Sequence, residues 1–319
     1  MSKTDNRMVI QSYLITTARY NFTIDQKRVL TRIIELLQPL LEGKVLSGKV
    51  EQNLWGDYHF SIPTNLLIND DTNYTRTKQA LKSLRNITFE CTSEKNEWAE
   101  VGLIEMPKIT RRGEVEFYLT EELVNVFLDF SKGYSKYVLG ISLGFSSVYS
   151  MRVYELISNQ KQPITFKIDK LKDIWGLSKS YERNFNFIQR IIEPAKKELD
   201  EKANWTFTYD LLKKGNKFEY IKFYPKHIAE KETKELFEAE SLREIDLRYI
   251  LDRNVREYLI HTCGFTTTEL NHHKDTLEKF VKKYRSNADQ AIREIWGRSR
   301  THGKDPKSYF FGALKAETK

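Results

Sequence analysis

A pattern of helix, strand, helix, helix and hairpin between residues 24 and 119 recurs about one hundred residues further along the chain. The first copy begins with residues 24–41, whose apolar side chains have helical spacing and follow Thr23, a favourable helix N-cap. The patterns that follow predict a short strand, a short helix beginning at Pro63, a longer helix and three strands, at 58–62, 63–67, 75–85, 87–92, 97–106 and 114–119. The repeat therefore predicts two similar α+β units in tandem.

The second copy has the same order of elements. Residues 145–158 have helical spacing, residues 164–168 alternate as a strand, and Asp169 is placed to cap a short helix that ends near Gly176. A long helix over 184–202 and a hairpin follow, with strands at 205–210 and 217–224 around the turn Lys213-Lys-Gly-Asn216. Phe60-Ser-Ile62 corresponds to Phe166-Lys-Ile168. Each unit is thus predicted to be a helix-turn-helix followed by a β wing, with residues 133–144 as the connection.

The pattern changes after Pro225. Residues from about 230 onward have helical spacing with no clear strand, and we expect breaks at Cys263-Gly264 and at Gly297. Residues 272–319 contain 12 Lys and Arg against six Asp and Glu. The predicted organisation is a first winged-helix domain, a second one, and a basic helical segment joined by a charged linker at 226–240, with domain boundaries at 8–132, 141–226 and 235–319.

The long helix of the second unit has the chemistry that reading a DNA major groove requires. Its apolar face is predicted from Phe185, Ile188, Ile191, Ile192, Ala195 and Leu199. The other face contains Arg183, Asn184, Asn186, Gln189, Arg190, Lys196 and Lys197. Arg can bridge guanine O6 and N7, and Asn or Gln can pair with adenine. Such a face alone would equally fit an ordinary solvated helix, but the helix-turn-helix context and a basic wing favour DNA. We expect the wing lysines, Lys213, Lys214 and Lys217, to contact phosphates.

The corresponding surface of the first unit is also basic. Its helix contains Arg76, Lys78, Gln79 and Lys82, and its hairpin contains Arg111 and Arg112. DNA contact and a solvated surface explain this pattern equally well. The apolar face of residues 24–41 could form a dimer zipper, although its width favours a place in the core of the first unit.

Three segments of the second unit resemble one protein family: 149–157, 166–177 and 181–199, of which Glu193-Pro-Ala-Lys-Lys-Glu198 is the most specific part. They are similar to the iteron-binding plasmid replication initiator (Rep) proteins, and the resemblance extends over residues 8–226. It implies two winged-helix domains that bind repeated origin sequences (iterons) in double-stranded DNA. The second domain would supply the main recognition helix, and the first a dimer interface and accessory DNA contacts. Origin opening, recruitment of the host initiator and replicative helicase, and repression of its own gene are implied as well.

The sequence offers little support for catalysis. Residues 43–50 nearly match a phosphate-binding loop, but Val50 occupies the position that needs a hydroxyl group for Mg²⁺. No His-x-His pair is present for a DNA-nicking metal site, and the adjacent His272 and His273 would point about 100° apart on a helix. Two cysteines are too few for a cysteine-rich zinc site. We therefore expect no enzymatic activity, no metal and no cofactor.

Charge and hydropathy indicate the compartment and the partner. The chain has a net charge of +8, which favours a polyanionic partner. No run approaches the ~18 apolar residues of a membrane helix, and the first residues lack the apolar stretch of a secretory signal, so we expect a cytoplasmic protein without membrane contact. The expected function is initiation of plasmid replication. A winged-helix transcriptional regulator, a DNA-nicking replication enzyme and a purely structural interaction protein are the alternatives.

Overall fold

The first unit is built around a helix that Thr23 caps as predicted. The computed structural model describes residues 6–41, 44, 46, 48–67, 74–92, 98–215, 217–228, 231, 247–284, 287–301 and 305–318. The elements of this part are β1 (Met8–Ser12), α1 (Tyr13–Thr16), α2 (Ile24–Leu36), α3 (Gln38–Leu41), β2 (Val50–Gln52), β3 (Tyr58–Pro63), α4 (Thr64–Leu67), α5 (Tyr74–Arg85), β4 (Thr88–Thr92), β5 (Trp98–Gly102), β6 (Glu105–Ile109), β7 (Glu114–Leu119) and α6 (Glu121–Phe127). Thr23 and Gln26 form a capping box at the start of α2, which satisfies two backbone N–H groups. The apolar face of α2 lies in the core, as its width predicted.

Two sequence-based boundaries in this unit are wrong. Pro63 ends β3 by pairing with Glu114, and the short helix begins only at Thr64. Residues 97–106 are not one strand, because β5 pairs with β4 whereas β6 pairs with β7 in the sheet β2–β3–β7–β6. Leu103 and Ile104, both fully buried, occupy the turn between the two strands. An apolar pair at a core-facing turn looks the same in sequence as the middle of a strand.

The segment between the units is more than a connection, so the prediction for 133–144 is wrong. It contains β8 (Tyr134–Val138) and α7 (Leu139–Leu143), and β8 pairs antiparallel with β1 from the other end of the unit, with Met8 opposite Val138. This pairing of distant segments leaves no periodic signal in either one.

The second unit repeats the topology of the first. Its elements are α8 (Val148–Ile157), β9 (Ile164–Lys167), α9 (Ile168–Ile174), α10 (Asn184–Phe187), a π-helical turn (Ile188–Ile192), α11 (Glu193–Lys202), β10 (Trp205–Lys214) and β11 (Lys217–His227). In both units the strand directly before the short helix pairs with the second strand of the wing hairpin, β3 with β7 and β9 with β11. Asp169 does not cap α9 as predicted: the N-cap position is Lys167, and Asp169 lies in the first turn, where the helix dipole favours an acid. The predicted fold class, two tandem winged-helix units in an α+β chain, is confirmed.

A buried polar network joins the two units. Lys27 of α2 meets Glu155 of α8, with Nζ 2.7 Å from Oε1. The side-chain amide N–H of Gln11 in β1 donates to Oε2 of Glu155 at 3.1 Å. The Tyr137 hydroxyl donates to the side-chain carbonyl oxygen, Oε1, of Gln11 at 3.0 Å. Arg152 of α8 donates to the backbone carbonyls of residues 18, 20 and 174. Directional contacts of this kind fix how one unit is oriented on the other.

The described part of the chain beyond residue 246 is helical. It comprises α12 (Leu247–Ile250), α13 (Arg253–Glu257), a π-helical turn (Tyr258–Thr262), α14 (Thr267–His272), α15 (Lys274–Tyr284), α16 (Ala288–Thr301) and α17 (Pro306–Glu317). The expected break at Cys263-Gly264 is present, with Gly264 at φ 72°, but Gly297 lies inside α16. The neighbouring Ile295 and Trp296 are buried, and their packing overrides the weak helix propensity of glycine.

The C-terminal helices have their own aromatic core and contact the first unit. Phe265 lies 5.2 Å from Trp296 and 5.3 Å from Phe310 between ring centroids. The Tyr134 hydroxyl of β8 donates to the Glu278 carboxylate of α15. Most of the predicted linker at 226–240 lies outside the described residues. None of the helices in the described ranges has the length and apolar composition that crossing a bilayer requires.

Candidate nucleic-acid interface

The helical stretch 184–202 packs one face onto the second unit and presents the other to solvent. Phe187, Ile192 and Leu199 are fully buried, and the Phe187 ring lies 5.8 Å from that of Trp175. Phe185, predicted to belong to this apolar face, is instead 59% exposed. The prediction fails because two phenylalanines two positions apart cannot share one helix face, and Phe187 occupies the core position.

Pro194 interrupts the hydrogen-bond pattern of this stretch. Proline has no backbone N–H and its ring opposes the carbonyl four residues back. The π-helical turn lies directly before it, and the Glu193 N–H donates to the Ile188 carbonyl, five residues back instead of four. The helix thus continues past the proline with a local shift in register, which falls where Gln189 and Arg190 project into solvent.

The N-terminal end of the stretch is fastened by Asn184. Its amide N–H donates to the Phe218 backbone carbonyl of the wing at 2.7 Å, and its carbonyl oxygen accepts from the buried Lys172 ammonium of α9. The sequence pattern predicts that Asn184 contacts bases. Both ends of its amide are engaged within the protein, so its observed contacts hold the helix, α9 and the wing together.

The C-terminal half is fastened by Glu198. Its carboxylate accepts from the backbone N–H and hydroxyl of Ser146 at 2.7 and 2.6 Å and from Lys202 at 2.7 Å. Burial raises the pKa of Glu198, but the hydrogen bonds from Lys202 and Ser146 outweigh burial and lower the pKa to about 2. The carboxylate is therefore ionised at neutral pH and anchors α11 beside the start of α8.

Most of the predicted contact residues on this helix are available to a ligand. Within the described residues, no side-chain hydrogen bond or ion pair engages the exposed side chains of Arg183, Asn186, Gln189, Arg190 and Lys197. Lys196 differs, because its Nζ lies 2.6 Å from the Asp200 carboxylate. The outer face thus offers two guanidinium groups and two amides on a helix held at both ends.

The wing presents the three predicted lysines beside this helix. Lys214 pairs with Lys217 at the end of the β10–β11 ladder, next to Gly215 at φ 63°, and all three predicted wing lysines are exposed. The Lys213 ammonium lies 5.1 Å from the centroid of the Phe218 ring. Asn216, part of the predicted turn, lies outside the described residues. Closely spaced cations on a hairpin suit the phosphate backbone of a duplex.

The first unit places its predicted residues on α5 and on the β6–β7 turn. Lys78, Gln79 and Lys82 are exposed on α5, and Arg111 and Arg112 are exposed at the β6–β7 turn. Arg76 is engaged elsewhere: its Nη2 lies 2.7 Å from the Asp25 carboxylate at the start of α2.

Comparisons with known proteins agree with this architecture. A family model described as "Initiator Replication protein, WH1" matches residues 8–158, and one described as "Initiator Rep protein, WH2" matches residues 167–225. The chain is also similar to a solved structure titled "Crystal structure of Pi initiator protein in complex with iteron DNA". That similarity has a TM-score of 0.54 at 17% sequence identity and covers 69% of this chain and 96% of the other, and it supports the fold. The α12–α17 region lies beyond both family matches.

Proposed function

Since the chain belongs to the initiator replication protein family, we propose that it initiates plasmid replication by binding repeated double-stranded DNA sites (iterons) at the origin. The Pi initiator protein of the similar structure is in complex with iteron DNA, which supports the same ligand here. The two family models match about two thirds of the chain, including both winged-helix units.

The exposed face of residues 183–197 is the observation that carries this proposal. Arg183 and Arg190 can each donate two hydrogen bonds to guanine, and Asn186 or Gln189 can pair with adenine. A helix anchored at both ends loses little backbone conformational entropy on binding, so the ordering cost is confined to its side chains. We assign direct base contacts to these four residues, and contacts to the phosphate backbone to Lys197, Lys213, Lys214 and Lys217.

The roles of the other regions follow the same proposal. The first domain would supply self-association and accessory DNA contacts through Lys78, Gln79, Lys82, Arg111 and Arg112, and the second domain would supply the main recognition. The protein would help open the origin, recruit the host initiator and replicative helicase in the cytoplasm, and repress its own gene. The C-terminal region, predicted to extend over 235–319, has no assigned role. We expect binding alone, so supercoiled origin DNA incubated with the protein and Mg²⁺ should remain unnicked.

The test is a comparison of site preference between matched arginine variants. Footprinting on DNA that flanks the gene identifies the site, and gel shifts then compare that site with random duplex. We expect Arg183→Ala and Arg190→Ala to lose about 1–3 kcal/mol of preference each. Arg300→Ala, which removes an exposed arginine from α16, serves as the control and should keep the wild-type preference. Wild-type preference in both Arg183→Ala and Arg190→Ala would contradict the assignment of this helix.

A test of plasmid maintenance distinguishes a replication initiator from a protein that only regulates genes. Deleting the gene should abolish plasmid maintenance, and supplying the protein from another plasmid should restore it. A deletion that changes expression but leaves maintenance intact would favour a regulator.

A further inference from the structure

A large aromatic side chain lies among the polar residues of the proposed base-reading face. Phe185 is 59% exposed, and it follows Arg183 and Asn184 and precedes Asn186. It belongs to the first turn of the helical stretch, and residues near the N-terminus of a recognition helix are the ones that reach base edges.

The outward direction of Phe185 is fixed by its neighbours in the chain. The Asn184 amide is bonded to Lys172 and to the Phe218 carbonyl, and Phe187 is buried against Trp175. This turn cannot rotate to bury Phe185 without breaking both anchors. Exposure of a phenylalanine ring to water is unfavourable, so covering the ring with a ligand lowers the free energy. Because the ring is not packed in the core, no internal contact is lost when a ligand covers it.

The surroundings of Phe185 restrict what that ligand can be. Asn186 and Gln189, one and four positions after Phe185, are exposed and carry hydrogen-bond donors, as does the exposed N-cap residue Arg183. In the major groove only one of the four bases presents an apolar group, the 5-methyl group of thymine. An apolar side chain between polar base readers therefore has a single matching target on a base edge.

We propose that Phe185 contacts the 5-methyl group of a thymine in the DNA site and so selects thymine at one or two positions. This inference rests on the proposed function and adds a specificity-determining residue to it. Because the contact is apolar, it discriminates thymine from uracil, which differ only in that methyl group and have the same hydrogen-bonding edge.

The test replaces each thymine of the site, one at a time, with deoxyuridine. The full-length protein first selects its site from a randomised duplex pool, and its affinity for each substituted duplex is then measured. Loss of one buried methyl contact should weaken wild-type binding about fourfold at one position or at two adjacent positions. Substitution at any other thymine should leave the affinity unchanged.

Protein variants then assign that effect to one side chain. Phe185→Ala should bind the thymine duplex more weakly and no longer distinguish it from the deoxyuridine duplex at the sensitive position. Phe185→Leu, which keeps an apolar side chain, should retain part of the discrimination. Trp55→Ala serves as the control, because Trp55 is an exposed aromatic residue of the first unit outside the proposed DNA contacts, and it should retain the full wild-type ratio.

The outcomes separate this inference from the function on which it rests. If Phe185→Ala keeps the wild-type thymine-to-uracil ratio, another group contacts the methyl and the inference is wrong. If the wild-type protein prefers its selected site over a scrambled one but ignores every deoxyuridine, the inference fails while the proposed function stands. If it does not distinguish the selected from the scrambled duplex, the proposed function itself fails.

Discussion

The Lys27 ammonium lies 2.7 Å from the Glu155 carboxylate, and the two side chains are 0% and 1% exposed. Lys27 lies on α2 of the first unit, and Glu155 lies on α8, which packs against α11 of the second unit although the WH1 match at residues 8–158 still covers it. A charge removed from water is tolerated only when its partner stays in place. The pair therefore ties the orientation of the first DNA-facing surface to that of the second.

Removing one member of this pair should destabilise the protein strongly. Lys27→Met leaves the Glu155 charge buried without its cation, at an expected cost of about 3–5 kcal/mol in the free energy of unfolding. The double variant Lys27→Met/Glu155→Leu removes both charges and should recover most of that loss. Urea unfolding of the wild-type protein, both single variants and the double variant gives the coupling energy. Additive effects would show that the two groups do not depend on each other.

The sequence predicts local elements well and long-range contacts poorly. Thr23, the period of α2 and the recurrence of the helix–strand–hairpin order were sufficient for the two winged-helix units, because capping and periodicity are local properties. Lys27 looks like an ordinary surface residue of an amphipathic helix, and nothing near it indicates Glu155. For the same reason the sequence does not predict the pairing of β1 with β8.

Within the candidate site, residue type was predicted better than residue role. Arg183, Gln189 and Arg190 are exposed as expected, whereas Asn184 is engaged within the protein and Phe185 faces outward. Helical phase near an end depends on what the first residues contact, and the contacts of Asn184 come from α9 and the wing. The assignment of individual residues to DNA stays a prediction.

Glu198 should make the free energy of unfolding depend on pH. Its pKa is lowered from 4.5 to about 2 in the folded protein, so its contribution is fully present above pH 4.5 and is lost as the pH falls towards 2. Glu198→Gln should cost on the order of 2 kcal/mol at pH 7, and the difference from wild type should shrink below pH 4.5. Urea midpoints measured between pH 7 and pH 2.5 test this. Glu201→Gln, an exposed carboxylate on the same helix, should follow the wild-type profile.

Two neighbouring asparagines should separate stability from recognition. Asn184→Ala removes two hydrogen bonds and takes a partner from the buried Lys172, so we expect a loss of about 1–3 kcal/mol in unfolding free energy. Asn186→Ala, at an exposed position, should change stability by less than about 0.5 kcal/mol but alter the preferred base at one position of the site. Thermal unfolding and site selection on both variants provide the comparison. A stable Asn184→Ala protein would contradict the anchoring role.

The wing lysines should control the salt dependence of binding without changing specificity. Each lysine that neutralises a phosphate contributes about 0.9 to the slope of log affinity against log salt concentration. We expect each single alanine variant, Lys213→Ala, Lys214→Ala or Lys217→Ala, to reduce the magnitude of that slope by up to this amount. Each should also weaken binding to specific and random duplex alike. Affinities measured between 50 and 200 mM salt give this slope for the wild-type protein and for each variant. An unchanged slope in all three variants would place the wing away from the backbone.

Pro194 should affect how the helix is aimed more than how well it folds. With alanine at this position an N–H becomes available to the Arg190 carbonyl, so regular hydrogen bonds to the carbonyl four residues back can extend through 188–192. A regular helix is favoured by up to about 3 kcal/mol over one with an internal proline, so Pro194→Ala should unfold at the same or a higher temperature. Closing the turn also changes the angle between the N-terminal half, held by Asn184, and the C-terminal half, held by Glu198. If one base contact is lost as a result, the preference for the site should fall about tenfold. Glu201→Ala on the same helix controls for an ordinary substitution. If Pro194→Ala keeps the wild-type preference, the turn does not aim Gln189 and Arg190, and the proline is only tolerated there.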